Sequence, residues 1–285
     1  MKSVRICVAA ITAGVVCIAV MLGILSAAIY AENESGGSFI GLMYHQVLKD
    51  ESRAGKYIIT PNELESDLAY LSENGYVSVL PSQLVKIREQ GGRLPEKTVV
   101  ITFDDGYETG LYYVLPLLKK YGMKAVINVV GSYTDEYSRI NEEGKHLSYA
   151  YLTWNEIKTL SDSGYVEIGN HTYNMHSYNG DRNGCARKEN ESDEQYRTVL
   201  YEDVARLSDK LQQVTGKRPV AFAYPFGSLS EGSSEIIGSA CISVFMTCCE
   251  QPCSMNRNGR IVINRYNRES GRTAQQICEE FNNAF

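Results

Sequence analysis

Histidine, tryptophan and positive charge are all scarce in this chain: of 285 residues, four are His and one is Trp, and 28 Lys plus Arg face 34 Asp plus Glu. The net charge of −6, with no basic stripe along the sequence, excludes nucleic acid as the main partner, because phosphate binding draws on clustered Lys and Arg. Paired CxxC knuckles are missing, which excludes a cysteine-built structural zinc site. Neither an internal repeat nor a second folded domain is visible. What remains is the composition of a globular chain, 44% hydrophobic and so able to bury a sizeable core.

One long apolar run does occur. Lys2 and Arg5 precede 26 uncharged residues, Ile6 to Ala31, before Glu32 restores charge. That run exceeds the roughly 20 residues a bilayer span requires. It is also longer than the usual core of a secretory signal, so an uncleaved transmembrane anchor is expected over residues 1–31, with cleavage after AIYA as the alternative. Positive charge before the span puts residues 32–285 outside the membrane, or in the medium if the segment is removed. ENESGGS, residues 32–38, reads as a short linker, and 39–285 as a single domain, expected to be a monomer. Six cysteines follow the span: Cys185, Cys241, Cys248, Cys249, Cys253 and Cys278. Export permits one or two disulfides among them, although a domain of this size can also carry plain thiols.

Beyond the linker, strand-like and helix-like segments alternate to the C-terminus. FIGLMYHQV, TVVITF, KAVINVVG, YVEIGN, PVAFAYPFG, ISVFMTCCE and RIVINRYN read as strands; the segments around Leu64 to Leu71, YYVLPLLKKYG, LTWNEIKTLSDSG, the long run ending at Gly216 and TAQQICEEFNNAF read as helices. This alternation predicts an α/β fold with a mainly parallel sheet, either open or closed into a barrel. His45, Asp104, Asp105, His171, Tyr224 and Arg265 all fall at or just after strand C-termini. A barrel gathers all such ends at one mouth, whereas an open sheet gathers only those near its switch point, so a barrel is expected.

Two clusters carry the chemistry. VVITFDDGY, residues 99–107, ends a buried strand on adjacent carboxylates. Neighbouring strand residues face opposite sides, so Asp104 and Asp105 are expected to divide the work, one on a metal and one on a proton; a solvated turn pair is the alternative. IGNHTYNMHSY, residues 168–178, holds two of the four histidines. Five residues apart, His171 and His176 would diverge by about 140° on a helix, so they converge only across a turn. With a strand-end carboxylate they form a facial donor set with open positions, suited to zinc and also to cobalt, nickel or iron.

TFDDG, the downstream HTYNMH and the YPFG that follows AFA together resemble the polysaccharide deacetylases of carbohydrate esterase family 4, the NodB-homology domain, across about residues 39–285. The five-residue His spacing and the early LMYHQV are similar to the subgroup acting on poly-N-acetylglucosamine. The resemblance implies a distorted (β/α) barrel of about seven strands. It also implies a divalent metal on Asp105, His171 and His176, with Asp104 as catalytic base and the backbone N–H of Phe226 facing the oxyanion. The implied activity is hydrolysis of N-acetyl groups on an N-acetylhexosamine polysaccharide, with release of acetate.

Two departures accompany it. The family's arginine upstream of the Pro-aromatic pair is absent, and Arg265, at the end of RIVINR, is the candidate for orienting Asp104, against a surface position near a strand end. The family's late Leu-His acid is also absent, since no histidine follows His176; His45, ending the first strand, is the candidate substitute, against a structural hydrogen-bonding role. Trp154 reads either as a sugar-stacking residue or as packing at a helix start. The missing late His sustains a rival reading, a non-catalytic glycan-binding or envelope-assembly protein on the same barrel. The intact Asp pair argues against it.

Overall fold

The computed structural model describes residues 35–140, 146–178, 182–256 and 259–283. The expected membrane segment, 1–31, lies outside the described residues. Among those described, no helix is long and apolar enough to cross a membrane.

Parallel strands form the frame: β1 (Ser35–Tyr44), β2 (Thr98–Phe103), β3 (Ala125–Val129), β4 (Val166–Asn170), β5 (Ala221–Ala223), β6 (Val244–Met246) and β7 (Ile261–Ile263), each hydrogen-bonded to the next in that order. After β7 the chain crosses back, and Tyr266–Asn267 pairs in parallel with Leu42 and Met43 of β1. The sheet is thereby nearly closed into a barrel, as the strand-end polar residues predicted. Cys253–Asn256 adds an antiparallel partner to the first half of β1. That pairing draws Ser35 to Ser38, expected as linker, into the strand.

Helices cover the outside: α1 (Pro61–Glu73), α2 (Pro81–Glu89), α3 (Leu115–Tyr121), α4 (Gly131–Tyr137), α5 (Trp154–Asp162), α6 (Asp193–Thr215), α7 (Ser233–Gly238) and α8 (Ala274–Asn283). Thr60–Glu63, Thr153–Glu156 and Ser192–Gln195 form capping boxes at the starts of α1, α5 and α6, and each sets its helix register. The short α4 carries no apolar periodicity, and sequence reading missed it. Trp154 opens α5 and donates from Nε1 to Asp135 Oδ1 at 2.8 Å, which makes it a packing residue.

Period-two alternation sorts the strand side chains. Val99, Ile101, Phe103, Ala125, Ile127 and Val129 face the helices, whereas Val100, Val126, Ala221, Ala223, Val244, Met246 and Ile263 fill the barrel interior. Burying these apolar groups is the main stabilising term. All six cysteines after the N-terminal run are free thiols in this structure.

The barrel closure rests on a buried ion pair. Arg268 donates from Nε to Asp67 Oδ2 at 2.6 Å, with both side chains 1% exposed. Tyr44 Oη donates to the same oxygen at 3.1 Å, and the Ala274 N–H donates to Oδ1 at 2.8 Å. One carboxylate on α1 thus ties together β1, the segment after β7 and the start of α8. Asp67→Ala would remove the closer counter-charge of buried Arg268, leaving only Glu63 Oε1 at 3.6 Å from Nη1, and a loss of about 3 kcal/mol is expected in urea unfolding; a loss under about 1 kcal/mol would show that closure does not depend on this pair.

Candidate active site

Strand register sets the site. Tyr44 of β1 aligns with Phe103 of β2, Phe103 with Ile127 of β3, and Val129 of β3 with Asn170 of β4. The strands therefore end at a common level, and His45, Asp104 and His171 leave the sheet at the same mouth. They line a cavity of about 670 Å³ together with Asp105, His176, Tyr107, Tyr57, Tyr178 and Phe226.

The two adjacent carboxylates separate because the chain turns sharply between them. Asp104 continues the ladder, its N–H donating to Tyr44 O at 3.0 Å. Asp105 then adopts φ 72° and Gly106 φ 73°. A left-handed non-glycine residue is strained, of order 1 kcal/mol or more, and such strain gathers at functional sites. Glycine is required next: a Cβ at 106 would lie 3.0 Å from Val129 Cγ1.

Asp104 is 3% exposed, and its Oδ1 accepts from Arg265 Nη1 and from Asn128 Nδ2, both at 2.7 Å. Arg265 is itself fully buried, donating also from Nε to Thr247 O at 2.9 Å and from Nη1 to Thr102 Oγ1 at 3.1 Å. The surface-arginine alternative is therefore excluded. Burial alone would raise the Asp104 pKa, but the Arg265 guanidinium, through charge and hydrogen bond, together with the nearby histidines outweighs it and holds the carboxyl below the usual carboxylate range. Asn128 escaped sequence reading, although a lone amide in the otherwise apolar strand VINVV was a usable signal.

Asp105 Oδ1 lies 3.0 Å from His176 Nε2 and 3.5 Å from His171 Nε2. The histidines converge because the HTYNMH segment is a turn: Thr172 has φ 72°, Met175 N donates to Thr172 Oγ1 at 3.2 Å, and Asp203 accepts from the N–H groups of Tyr173 and Asn174 at 2.7 and 2.8 Å. His171 Nδ1 sits 2.8 Å from Ala223 O. A carbonyl only accepts, so Nδ1 carries a proton and Nε2 is the nitrogen turned toward Asp105. Asp105, His171 and His176 bring one donor atom each within 4.8 Å of one another, and they form a candidate metal site among the described residues. Three potential ligand atoms converging this closely leave a place for a cation, and a set of two imidazoles and one carboxylate suits a divalent transition metal.

His45 also reaches the cavity. Its ring packs 4.8 Å from Tyr57, and its buried Nδ1 has no hydrogen-bond partner. Burial lowers its pKa, with Asp105 and Asp104 pulling the other way. Phe226, at φ 59° in the Pro225–Gly227 turn, places its ring 4.6 Å from that of His176. Tyr178, in the long loop before α6, meets Phe226 edge-on at 5.3 Å.

A family profile described as polysaccharide deacetylase matches residues 91–243. The poly-beta-1,6-N-acetyl-D-glucosamine N-deacetylase of Escherichia coli K12 is 27% identical over 228 residues, covering 73% of this chain and 34% of that protein. This chain thus spans about a third of the length of that relative. Among solved structures, a de-N-acetylase from Aggregatibacter actinomycetemcomitans superposes with a TM-score of 0.72 at 26% identity, covering 85% of this chain and 99% of the other. IcaB from Ammonifex degensii shares the fold, with a TM-score of 0.69 at 24% identity over 86% of this chain and 97% of its own.

The donor set makes a direct prediction. Chelator-stripped protein should take up one zinc per chain, and His171→Ala should weaken that uptake at least about tenfold. Equal zinc retention by the variant, read by competition with a chromogenic chelator, would remove His171 from the ligand set.

Proposed function

The chain belongs to the polysaccharide deacetylase family, and from that premise we propose that it hydrolyses N-acetyl groups on an N-acetylhexosamine polysaccharide, with a poly-N-acetylglucosamine chain as the preferred polymer. The observation that carries this reading is the division of labour between adjacent carboxylates: Asp105 faces the two histidines, while Asp104 is held separately by Arg265 and Asn128. The polymer is suggested by the name of the E. coli relative.

Bound at Asp105, His171 and His176, a divalent cation, with zinc favoured over cobalt, nickel or iron, would polarise the acetyl carbonyl and acidify the attacking water. The chain's own groups supply the rest. With Oδ1 of Asp104 engaged by two donors, Oδ2 is the oxygen that takes a proton as water adds to the acetyl carbon. The Phe226 N–H, carried on the turn at the cavity edge, is assigned to the developing oxyanion. As the C–N bond breaks, the leaving nitrogen needs a proton. His45 is assigned to deliver it, since it lines the same cavity as Asp104 and the candidate metal ligands. Acetate and a free amine result. The exposed rings of Tyr57 and Tyr178, 50% and 71% accessible, give sugar faces a surface to stack on. We place the domain outside the membrane, tethered by residues 1–31 or released from them, on the strength of the apolar N-terminal run.

Two measurements test this reading. Asp104→Asn should retain zinc and lose about 100-fold or more in acetate release from soluble N-acetylglucosamine oligomers, the scale of general acid–base catalysis. Undiminished release would remove Asp104 as base, and no release by the parent protein despite bound zinc would favour a binding protein. The second is pH dependence. The depressed Asp104 pKa keeps the base ionised until the pH falls below the usual carboxylate range. Arg265→Gln removes the main depressing charge, so activity should begin to fail at a higher pH on acidification; an unmoved acid limb would detach Arg265 from the base.

A further inference from the structure

A histidine that binds a metal through one nitrogen needs its other nitrogen fixed, because that second contact sets both tautomer and ring orientation. His171 has the Ala223 carbonyl for this purpose. For His176 the structure provides a side chain: we propose that Tyr133 is a positioning residue of the metal centre, its hydroxyl selecting the His176 tautomer whose Nε2 lone pair faces Asp105. The proposal rests on the reading that Asp105, His171 and His176 hold a divalent cation.

A proton count carries the argument. Tyr133 Oη lies 3.0 Å from His176 O, to which it donates, and 3.3 Å from His176 Nδ1. A phenol has one proton, and a backbone carbonyl has none to give, so that proton is committed to the carbonyl. The contact to Nδ1 must then be made by an Nδ1–H donating to the phenol oxygen. With Nδ1 so engaged, Nε2, 3.0 Å from Asp105 Oδ1, is the nitrogen left to take a cation. Both histidines are thereby set in the same sense, Nδ1–H outward and Nε2 inward.

Tyr133 is held against the ligand segment by the backbone. The N–H groups of Gly131 and Ser132, opening α4, donate to Thr172 O at 3.1 Å and Tyr173 O at 2.7 Å, and the His171 N–H donates to Val129 O at 3.0 Å. Close approach is the reason for a glycine at 131, where a Cβ would come 2.5 Å from Tyr173 Cδ2. The phenol ring meets His176 edge-on at 5.8 Å and packs 4.6 Å from Tyr151, which stacks on Tyr107 at 4.9 Å. These ring contacts survive in Tyr133→Phe, and only the hydroxyl is lost.

The test compares the full-length chain with its Tyr133→Phe variant. Zinc affinity is measured by chelator competition, and the His176 Nδ1–H of the zinc-loaded protein by nitrogen NMR, where four histidines keep the spectrum assignable. The expected result is a zinc affinity about 10–100-fold weaker in the variant, with the His176 Nδ1–H exchanging faster with solvent once its acceptor is lost. If the parent binds zinc and the variant either binds it equally or keeps the same Nδ1–H exchange, the Tyr133 assignment is overturned while the metal reading stands. If the parent binds no zinc, both fall.

Discussion

Arg265 is the constraint around which the mouth of the barrel is built. A guanidinium with no solvent exposure, set inside a sheet otherwise filled by Val, Ala, Met and Ile, loses several kcal/mol of hydration that only fixed acceptors can restore. Asp104 supplies the charge, and Thr247 O and Thr102 Oγ1 supply further acceptors. The same pairing keeps a buried carboxylate ionised, which it could not be alone. A group that serves folding by neutralising a cation is therefore also held in its deprotonated form at the mouth of the barrel.

The family's usual arginine position, ahead of the Pro-aromatic pair, is empty in this chain, and the closed sheet explains how another strand substitutes. Arg265 lies between β7 and the Tyr266–Asn267 segment that pairs with β1, one strand away from β2 and its terminal Asp104. In a nearly closed sheet the last strand is as near to the second as any other. The same geometry brings His45, from the first strand, to a mouth that sequence order would place far from His176.

Much of this was legible in the sequence because it depends on local rules. Strand ends followed by polar residues, the DDG turn and the helix caps each declare themselves within a few residues, and His45, Asp104, Asp105, His171, His176 and Phe226 all line one cavity as expected. The partners that hold these groups were harder to see. Arg265, 161 residues from Asp104, was legible only as one of two readings, whereas Asn128, 24 residues from Asp104, and the Arg268–Asp67 pair across 201 residues were not seen at all. Nothing in periodicity encodes such pairings. Tyr133 was hidden for a second reason: its helix starts at a glycine and lacks an apolar stripe, and the contacts of its neighbours, not its own propensity, fix it in place.

β1 has one further consequence. Its ten residues, about 33 Å of extended chain, run from the floor of the barrel to the mouth, since every parallel strand ends where the site lies. Whatever precedes Ser35 therefore joins the domain at the floor. A tether at that end, if residues 1–31 supply one as proposed, would leave the mouth of the barrel unobstructed.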